Sequence, residues 1–580
     1  MALTTILISF LALLSCAFIL YDGVCLIRNY QKARKLRVPI RIMPINSLNQ
    51  IWMLLDRKCT SLVRRLPGYL GNNNFTRYNW RGWELAERCQ SHEEMGDVFI
   101  IVTPGRNTLY IGDPDAVVEV FRRSKDFPHD AKLTEMLDVF GPNISTALGD
   151  DWRKQRKITA SCFNDLNNEV VWSESVSQAQ SMVKHWGTMT SVASVADDMR
   201  TLTLNVMARA GFGQSFEFRP SDYQKTTSDL NKKPLQYSYR DSLQIILENC
   251  ILIMALGPPF FAKSWLPAYF RHIHQACTSF KAHMVTVYEE AKHNLAKDTD
   301  GKQHKKAQGN LMASLVRASQ EAAAEATAKV PGSYQGGLTE QEVFGNMFVF
   351  NFAGHDTTAH TFTFAIYFLA ANPEVQDWIS EEINTVFGDK STQEWTASES
   401  FSSLRRCLAV LFETLRLYLP VPPAKWTENR TQTLTVGQKA LFIPPQTMIC
   451  PSYAAMSTDQ KYWGVDALTW RPQRWIQERE GQSAGEEEMI TPVRGTFLGW
   501  SEGARDCPGR KFSQVEFVAT LAVLFKDWRV EPVLRAGETM RDAQKRVLRL
   551  IEEDTGCVLL IQMLHPEQCP LAWCRRTKLS

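Results

Sequence analysis

Cys507 lies in the stretch WSEGARDCPGRKF, from Trp500 to Phe512, where the residue types and their spacing favour chemistry at a thiol. Such a cysteine can belong to a disulfide, a zinc site, a catalytic nucleophile or another metal site. A structural zinc site needs four Cys or His ligands in paired spacing, and the sequence around Cys507 supplies none. A catalytic thiolate needs a His partner and a cation or a helix N-terminus that lowers its pKa. The role of Cys507 therefore has to be inferred from the residues that flank it.

The residues after Cys507 predict the start of a helix. Pro508 suits a first helical position, and an apolar helical pattern follows it. Backbone N–H groups of that first turn can reach the sulfur, while Gly503 and Gly509 leave space for a large, flat partner. Arg505 adds a positive charge that can bind an anion. A thiolate held by amide donors beside such a charge fits a ligand of haem iron.

A second stretch, AGHDTT from Ala353 to Thr358, interrupts an apolar helix predicted from Glu340 to about Ala371. Gly costs about 1 kcal/mol relative to Ala inside a helix, and threonine hydroxyls that bond back to carbonyls tend to bend helices. These residues in a core helix indicate a functional groove that contains Asp356 and Thr357. The structural alternative is a kinked core helix with a satisfied Asp356. We expect His355 to be packed or at the surface rather than to be a ligand.

Three further motifs place charged or aromatic residues at helical or short spacing. In FETLR, Glu413 and Arg416 lie three positions apart on one helical face, and WRPQRW contains Arg474. In DDWRKQRK, Trp152 and Arg156 lie one helical turn apart. A pair such as E-x-x-R is frequent by chance and indicates little alone. Its position relative to the other motifs is what makes it informative.

Together, and in this order, the motifs resemble those of the cytochrome P450 superfamily of haem-thiolate monooxygenases. The cysteine loop matches the family pattern F-x-x-G-x-R-x-C-x-G at Trp500, Gly503, Arg505, Cys507 and Gly509. Trp500 departs from the pattern, which has Phe at that position, and we expect tuning rather than loss of function. The resemblance extends from about Asp97 to Met563.

The resemblance implies that Cys507 ligates the iron of a haem b and that Asp356 and Thr357 deliver protons to bound oxygen. One atom of O2 is then expected to enter a lipophilic small-molecule substrate. The two electrons are expected from NADPH through a separate flavoprotein reductase, because GFGQSF at Gly211 to Phe216 lacks the third glycine of a dinucleotide loop. We interpret GFGQSF as a turn.

The resemblance also implies how the haem is surrounded. Charge-assisted hydrogen bonds are expected to join Glu413, Arg416 and Arg474 in a buried structural cluster behind the haem. The haem propionates are expected to bind Trp152, Arg156 and Arg505. The basic residues beside Arg156 on the same helix, which are Arg153, Lys154 and Lys157, are expected to be a solvated face that docks an acidic flavoprotein.

The elements that must position these residues are mainly helical. DVFIIVTPGRNTLYIGDP, from Asp97 to Pro114, predicts a β-hairpin. Short strand-like segments at 433–436, 440–443, 447–450 and 558–563 complete a fold class of helices with small β-sheets. We expect a catalytic domain at 80–563 and a C-terminal tail at 564–580.

The N-terminal run from Ala2 to Tyr21 carries no charge and is long enough for a transmembrane anchor. Basic residues follow it, at Arg28, Lys32, Arg34, Lys35, Arg37 and Arg41. The positive-inside tendency predicts a single-pass protein of the endoplasmic reticulum membrane with a cytosolic catalytic domain. A basic, Pro-containing linker at 22–79 is expected to lead from this anchor onto the body.

Composition excludes other classes of protein. A net charge of +3 and a pI near 8.1 are far from the strongly basic balance of a nucleic-acid binder. Thirteen scattered cysteines do not form a disulfide framework.

The PPAKWT segment and the WSEG-type loop resemble microsomal enzymes of filamentous fungi, which suggests secondary-metabolite biosynthesis by analogy. Variable segments, including Val421 to Lys425, are expected to govern substrate choice.

Two alternatives to a monooxygenase remain open at this point. A haem-thiolate isomerase or dehydratase uses no external oxygen, but such enzymes often lack the acid-alcohol pair that Asp356 and Thr357 provide. A non-catalytic haem carrier or gas sensor needs neither the helix groove nor a reductase-docking face. Dependence of product formation on NADPH and O2 separates these functions.

Overall fold

The computed structural model describes residues 2–220, 237–297, 310–329, 336–477 and 487–576, and most of these residues are helical. The prediction of a mainly helical fold with small sheets is confirmed. In chain order the helices are α1 (Ala2–Ala33), α2 (Gln50–Arg64), α3 (Asn74–Tyr78), α4 (Trp83–Glu87), α5 (Gln90–Met95), α6 (Pro114–Arg122), α7 (Ala131–Thr134), α8 (Gly149–Ala160), α9 (Asp165–Trp186), α10 (Val195–Phe212), α11 (Tyr239–Glu248), α12 (Cys250–Leu256), α13 (Ala268–Lys297), α14 (Leu311–Lys329), α15 (Glu340–Ala371), α16 (Pro373–Phe387), α17 (Ala397–Ser400), α18 (Arg405–Leu417), α19 (Tyr453–Met456), α20 (Gln460–Trp463), α21 (Arg510–Lys526) and α22 (Met540–Glu553).

The strands are short and form small sheets. They are β1 (Ile40–Ile42), β2 (Val98–Val102), β3 (Asn107–Ile111), β4 (Lys425–Trp426), β5 (Gln432–Val436), β6 (Lys439–Ile443), β7 (Thr447–Pro451), β8 (Ile476–Gln477), β9 (Glu488–Met489), β10 (Trp528–Pro532), β11 (Thr555–Cys557), β12 (Ile561–Met563) and β13 (Leu571–Arg575). Five of them form one sheet in the order β1-β2-β3-β7-β4, and the others pair as two-stranded sheets. β2 and β3 pair in antiparallel orientation, which confirms the predicted hairpin.

Helix α15 runs through the hydrophobic core and has the bounds that the sequence predicts. A capping box opens it, because the Glu342 N–H donates to the Thr339 hydroxyl at 3.2 Å and the Thr339 N–H donates to the Glu342 carboxylate at 2.8 Å. Apolar residues surround nearly its whole length, so α15 can be buried on all sides. It packs against α10 and also contacts α21, the helix that follows Cys507.

The N-terminal helix α1 extends twelve residues beyond the predicted anchor boundary at Tyr21, to Ala33. Near its end, the Asn29 side chain donates to the backbone oxygens of Thr103 and Pro104 at 2.9 and 3.1 Å. These bonds attach α1 to the β2–β3 turn. Among the described residues, no helix combines the length and the apolar character needed to cross a membrane.

Two segments that the sequence places outside the catalytic domain pair with strands of the body. Within the predicted linker 22–79, β1 pairs in parallel with β2, and Ile40 is the partner of Ile100. Within the predicted tail 564–580, β13 pairs in antiparallel orientation with β10, and Arg575 is the partner of Trp528. Basic and Pro-rich composition did not reveal these pairings, because both partners lie far away in sequence.

Candidate active site

A backbone hydrogen bond closes the loop that carries Cys507 before α21 begins. The Cys507 N–H donates to the Trp500 backbone oxygen at 2.9 Å, and a 3-10 turn from Gly503 to Arg505 lies between them. Helix α21 starts at Arg510, so the prediction that Pro508 occupies its first position is wrong. Pro508 instead belongs to the turn between the cysteine and the helix.

The thiol of Cys507 is accessible although protein encloses it. The residue is exposed, yet burial raises the pKa of its thiol. The N–H of Gly509, which donates to the sulfur, and the charges of Arg156 and Arg510 act in the opposite direction. The Gly509 N–H and these two positive charges favour the thiolate form of the accessible cysteine.

Only one of the two predicted loop glycines is required by the backbone. Gly503 has a φ of +78°, and a Cβ atom there would lie 2.8 Å from the backbone oxygen of Phe121. At Gly509 the added Cβ would lie 3.8 Å from the Cys507 sulfur and 3.9 Å from Phe163, which are ordinary contact distances. Gly503 therefore fixes the path of the loop, whereas Gly509 contributes through its N–H.

Trp500 is buried and is held at both its backbone and its side chain. Its indole N–H donates to the hydroxyl of Ser513, in the first turn of α21, at 2.9 Å. The Phe412 ring packs edge-on against it with 5.3 Å between centroids, and the Arg510 guanidinium lies 5.6 Å from its ring. The larger ring thus fills space and also adds a hydrogen bond that Phe could not make.

The AGHDTT stretch is an opening in an otherwise buried helix. From Glu342 to Ala371, every residue of α15 is buried except Phe352, Ala353, Gly354, Asp356 and Thr357. The helix continues through this stretch, and the Thr357 hydroxyl donates to the Ala353 backbone oxygen at 2.8 Å. These five positions form one short, partly exposed patch on an otherwise buried helix, at the place where the sequence predicts a groove.

Asp356 lies in a charged group that the sequence did not predict. The Nε atom of Arg200, on α10, lies 3.7 Å from its Oδ1 atom. The Nδ1 atom of His355 lies 3.4 Å from the same oxygen, and its Nε2 atom donates to the Arg200 backbone oxygen at 3.1 Å. His355 is only 4% exposed, so of the two placements that the sequence allows, packed or at the surface, the packed one is found.

Four basic side chains gather around the cysteine loop. Burial and the charge of Arg156 lower the pKa of Arg505 to about 10. Burial and the charge of Arg505 lower the pKa of Lys425 to about 8. Burial, Arg505 and Lys425 lower the pKa of His129 to about 4. Burial is the largest cause in each case, and an anion bound among these side chains would relieve the remaining repulsion between them.

Arg156 and Arg505 both contact protein groups around the cysteine loop. The Arg156 guanidinium donates to the backbone oxygen of Asp506 at 2.8 Å and also to its carboxylate. Arg505 donates to the Ala147 backbone oxygen at 2.9 Å, and its guanidinium lies 4.5 Å from the Trp152 ring centroid. Arg156 therefore holds α8 to the cysteine loop, while Arg505 and Trp152 stack on one another.

Glu413, Arg416 and Arg474 are brought together. Arg416 donates two hydrogen bonds to the Glu413 carboxylate, at 2.7 and 2.8 Å, and Arg474 donates one at 2.9 Å. The Arg471 N–H and the Trp475 indole N–H each add a bond of 2.9 Å. Glu413 and Arg416 are completely buried, so this cluster joins α18 to the 472–475 turn through interactions that water does not screen.

A model of the cytochrome P450 family matches residues 75–557. The chain belongs to this family. The similar proteins include a cytochrome P450 monooxygenase of Arthrobotrys oligospora, 29% identical over 92% of each chain. A cytochrome P450 monooxygenase of Penicillium rubens is 28% identical over 88% of this chain and 89% of its own. A phomenoic acid biosynthesis cluster cytochrome P450 monooxygenase of Leptosphaeria maculans is 26% identical over 88% and 90%.

Membership of the P450 family identifies the chain as an oxidoreductase of the haem-thiolate monooxygenase type. The residues present fit that cofactor in two respects. Cys507 is exposed, and its sulfur accepts a hydrogen bond from the Gly509 N–H. The buried group of Arg505, Lys425 and His129 suits the two propionates of a haem. Lys425 and His129 were not singled out by the sequence, because neither belongs to a local motif.

The basic face of α8 is less free than the sequence predicts for a P450 docking surface. Lys154 donates to the Glu342 carboxylate at 2.9 Å and ties α8 to the start of α15. Arg153 pairs with Asp150 at 2.6 Å, although both side chains are exposed. A partly buried ion pair such as Lys154–Glu342 fixes two helices relative to each other, so Lys154 is a structural contact.

Proposed function

We propose that this P450 inserts one atom of O2 into a lipophilic organic substrate, with electrons from NADPH that a separate flavoprotein reductase transfers. The observation that carries the proposal is the accessible patch on α15, which presents a carboxylate and a hydroxyl in the middle of an otherwise buried helix. A haem b bound at Cys507 would supply oxygen activation, because a thiolate ligand donates electron density that favours O–O cleavage.

The residues of this chain would perform the remaining tasks. The Cys507 sulfur, held by the Gly509 N–H, would bind the iron, and Arg505 would help to hold the propionates. The Asp356 carboxylate would store a proton, and the Thr357 hydroxyl would donate one into the opening. Thr357 now donates to the Ala353 oxygen at 2.8 Å, so a small rotation of its side chain would redirect that proton.

The substrate class and cellular setting belong to the same proposal. The Leptosphaeria maculans relative carries a biosynthesis-cluster name, which supports a role for this chain in fungal secondary-metabolite biosynthesis. The uncharged run from Ala2 to Tyr21, followed by basic residues, supports single-pass anchoring in the endoplasmic reticulum membrane with a cytosolic catalytic domain. Alkaline carbonate extraction of the full chain and of a variant without residues 2–21 tests the anchor. Extraction of the full chain into the soluble fraction would refute it.

The reaction is tested with the full chain and a reductase. Without substrate, the enzyme oxidises one NADPH for each O2 that it reduces to H2O2 and two for each O2 that it reduces to water. Formation of water needs further protons at the bound oxygen, so the ratio of NADPH to O2 consumed reports proton delivery. Thr357→Ala should shift the products toward H2O2, because it removes the hydroxyl of the opening. Thr361→Ala is the matched control, since Thr361 also bonds back to a carbonyl, at 2.8 Å, but is buried outside the opening.

Equal stoichiometry in Thr357→Ala and in the unmodified enzyme would refute the role of Thr357. The reduced-CO difference spectrum provides the independent check on Cys507. A red-shifted Soret band is expected for thiolate ligation and should be lost in Cys507→Ser. A shorter-wavelength band from intact protein would refute the assignment of the ligand. Screening candidate precursors for NADPH- and O2-dependent products then identifies the substrate.

A further inference from the structure

Two hydrogen-bond acceptors face each other beside Thr357. The Nε2 atom of His355 lies 3.1 Å from the Arg200 backbone oxygen, and a carbonyl oxygen only accepts, so Nε2 carries the hydrogen. In a neutral imidazole the other nitrogen, Nδ1, then presents a lone pair. That Nδ1 atom is buried, lacks a hydrogen-bond partner among the described residues and lies 3.4 Å from Asp356 Oδ1.

A lone pair that faces a carboxylate oxygen is unfavourable unless a proton lies between the two atoms, and the Asp356 side chain, at 20% exposed, is largely shielded from water. His355 is 4% exposed, so water does not screen the contact from the imidazole side. The proton can be on Nδ1, which gives an imidazolium next to a carboxylate. It can also be on Asp356, which gives a carboxylic acid that donates to Nδ1.

The charged groups around this pair come from three helices. Burial and the charge of Arg200 lower the pKa of His355, whereas Asp356 raises it. Burial, then Arg200, lowers the pKa of His360, on the same helix as His355, to about 3. Burial, then the charge of Asp356, raises the pKa of the Cys250 thiol, on α12, to about 11. His360 and Cys250 are therefore neutral near pH 7, and Arg200, which also pairs with Asp197 at 3.0 Å, is the cation that faces the pair.

We propose that His355 and Asp356 share one proton, and that this pair is the proton store that serves Thr357. The inference rests on the proposed monooxygenase function, because only that reaction consumes the proton in the opening. His355 acts through Asp356 and is a positioning residue. The proton leaves through the Asp356 carboxyl group, and one proton from water replaces it. The Arg200 side chain, 35% exposed, places the pair one side chain away from solvent.

Two substitutions of His355 separate its contacts. His355→Gln can keep a donor near the Arg200 oxygen but cannot titrate, and His355→Asn places an amide near Asp356 instead. His360→Gln is the matched control, because His360 is 5% exposed on the same helix and has no ion pair with Asp356 among the described residues. Haem content and the thermal midpoint of each variant show whether it is folded.

The readout is the ratio of NADPH to O2 consumed by full-length holoenzyme with reductase and no substrate, between about pH 5 and about pH 8. We expect a pH-dependent ratio in the unmodified enzyme and in His360→Gln. Both His355 variants should lose this pH dependence and release more H2O2. An unchanged pH profile in a folded His355→Gln and a folded His355→Asn would overturn the proposal.

Infrared spectroscopy of the intact holoenzyme with isotope-labelled aspartate gives a second readout that does not depend on turnover. The expected result is an aspartate band, from a carboxylate or a carboxylic acid, that disappears in Asp356→Asn and shifts in His355→Gln. An Asp356 band at the same position in the unmodified enzyme and in His355→Gln would overturn the shared proton. Failure of the two proposals is distinguishable. If Thr357→Ala leaves the stoichiometry unchanged, the proposed function fails. If Thr357→Ala changes it and the His355 variants do not, only the shared proton fails.

Discussion

Replacement of Glu413 by Gln tests how much the buried cluster contributes to the cytochrome P450 fold of this chain. Glu413 accepts five hydrogen bonds, two at Oε2 and three at Oε1. A Gln side chain has the same shape but presents an NH2 group at one of these positions. At least two donors therefore lose their acceptor whichever way the amide is turned.

The size of the expected loss of stability in Glu413→Gln follows from the burial of the cluster. Arg416 is completely buried and would lose the charge that balances its guanidinium. Breaking a buried ion pair on one side costs about 3–5 kcal/mol, and two lost hydrogen bonds to charged groups account for a similar amount at about 1.5–3 kcal/mol each. Because proteins are stable by only about 5–15 kcal/mol, Glu413→Gln should remove a large part of the free energy of unfolding.

Urea unfolding of the purified holoenzyme, followed by tryptophan fluorescence and by the Soret band, measures the effect. Glu381→Gln is the matched control, because Glu381 also pairs with a buried arginine, Arg406, at 2.6 Å but is itself 66% exposed. Arg406 keeps its second partner, Glu487, so this control should cost at most about 1 kcal/mol. A Glu413→Gln midpoint equal to that of the control would refute the reasoning.

Three further changes have expected outcomes. Gly503→Ala should lower the haem content per protein, measured by pyridine haemochrome, because a Cβ there would lie 2.8 Å from the Phe121 oxygen at a positive φ. Trp500→Phe should cost about 1 kcal/mol in urea unfolding, for the lost hydrogen bond to Ser513, and leave the reduced-CO Soret position unchanged. Burial raises the pKa of Glu382 from its ordinary 4.5 to about 7. Between those pH values the folded state binds more protons, so a stabilising contribution complete below pH 4.5 is lost as the pH rises through about 7. Glu382→Gln should abolish that part of the pH dependence of the urea midpoint.

The sequence predicts elements whose cause is local. The bounds of α15 follow from the Thr339 capping box and from an apolar pattern that ends before Pro373. The β2–β3 hairpin follows from two apolar runs around a Pro-Gly turn. Membership of the family could also be inferred, because motifs such as the cysteine loop have fixed spacing. In each case the residues that determine the structure lie within a short stretch of chain.

The parts that the sequence did not predict depend on partners far away along the chain. Arg156 binds Asp506, 350 positions later. Lys154 looks like a solvated base on a polar helix, yet it pairs with Glu342 on another helix. His129 lies outside every motif, although it joins the basic group around Arg505. Helical periodicity describes one element at a time and so cannot reveal such contacts.

The departure at Trp500 shows how a local pattern and a long-range contact combine. The family pattern alone predicts that the larger ring tunes function rather than abolishing it. In the structure the indole N–H donates to Ser513, and the Trp500 oxygen accepts from the Cys507 N–H. Ser513 in turn donates to the Arg510 oxygen at 3.0 Å, so its hydroxyl is free to accept from the indole. Trp500 therefore bonds to the cysteine loop through its backbone oxygen and to the first turn of α21 through its indole N–H. Neither bond involves the Cys507 sulfur, which accepts from the Gly509 N–H instead.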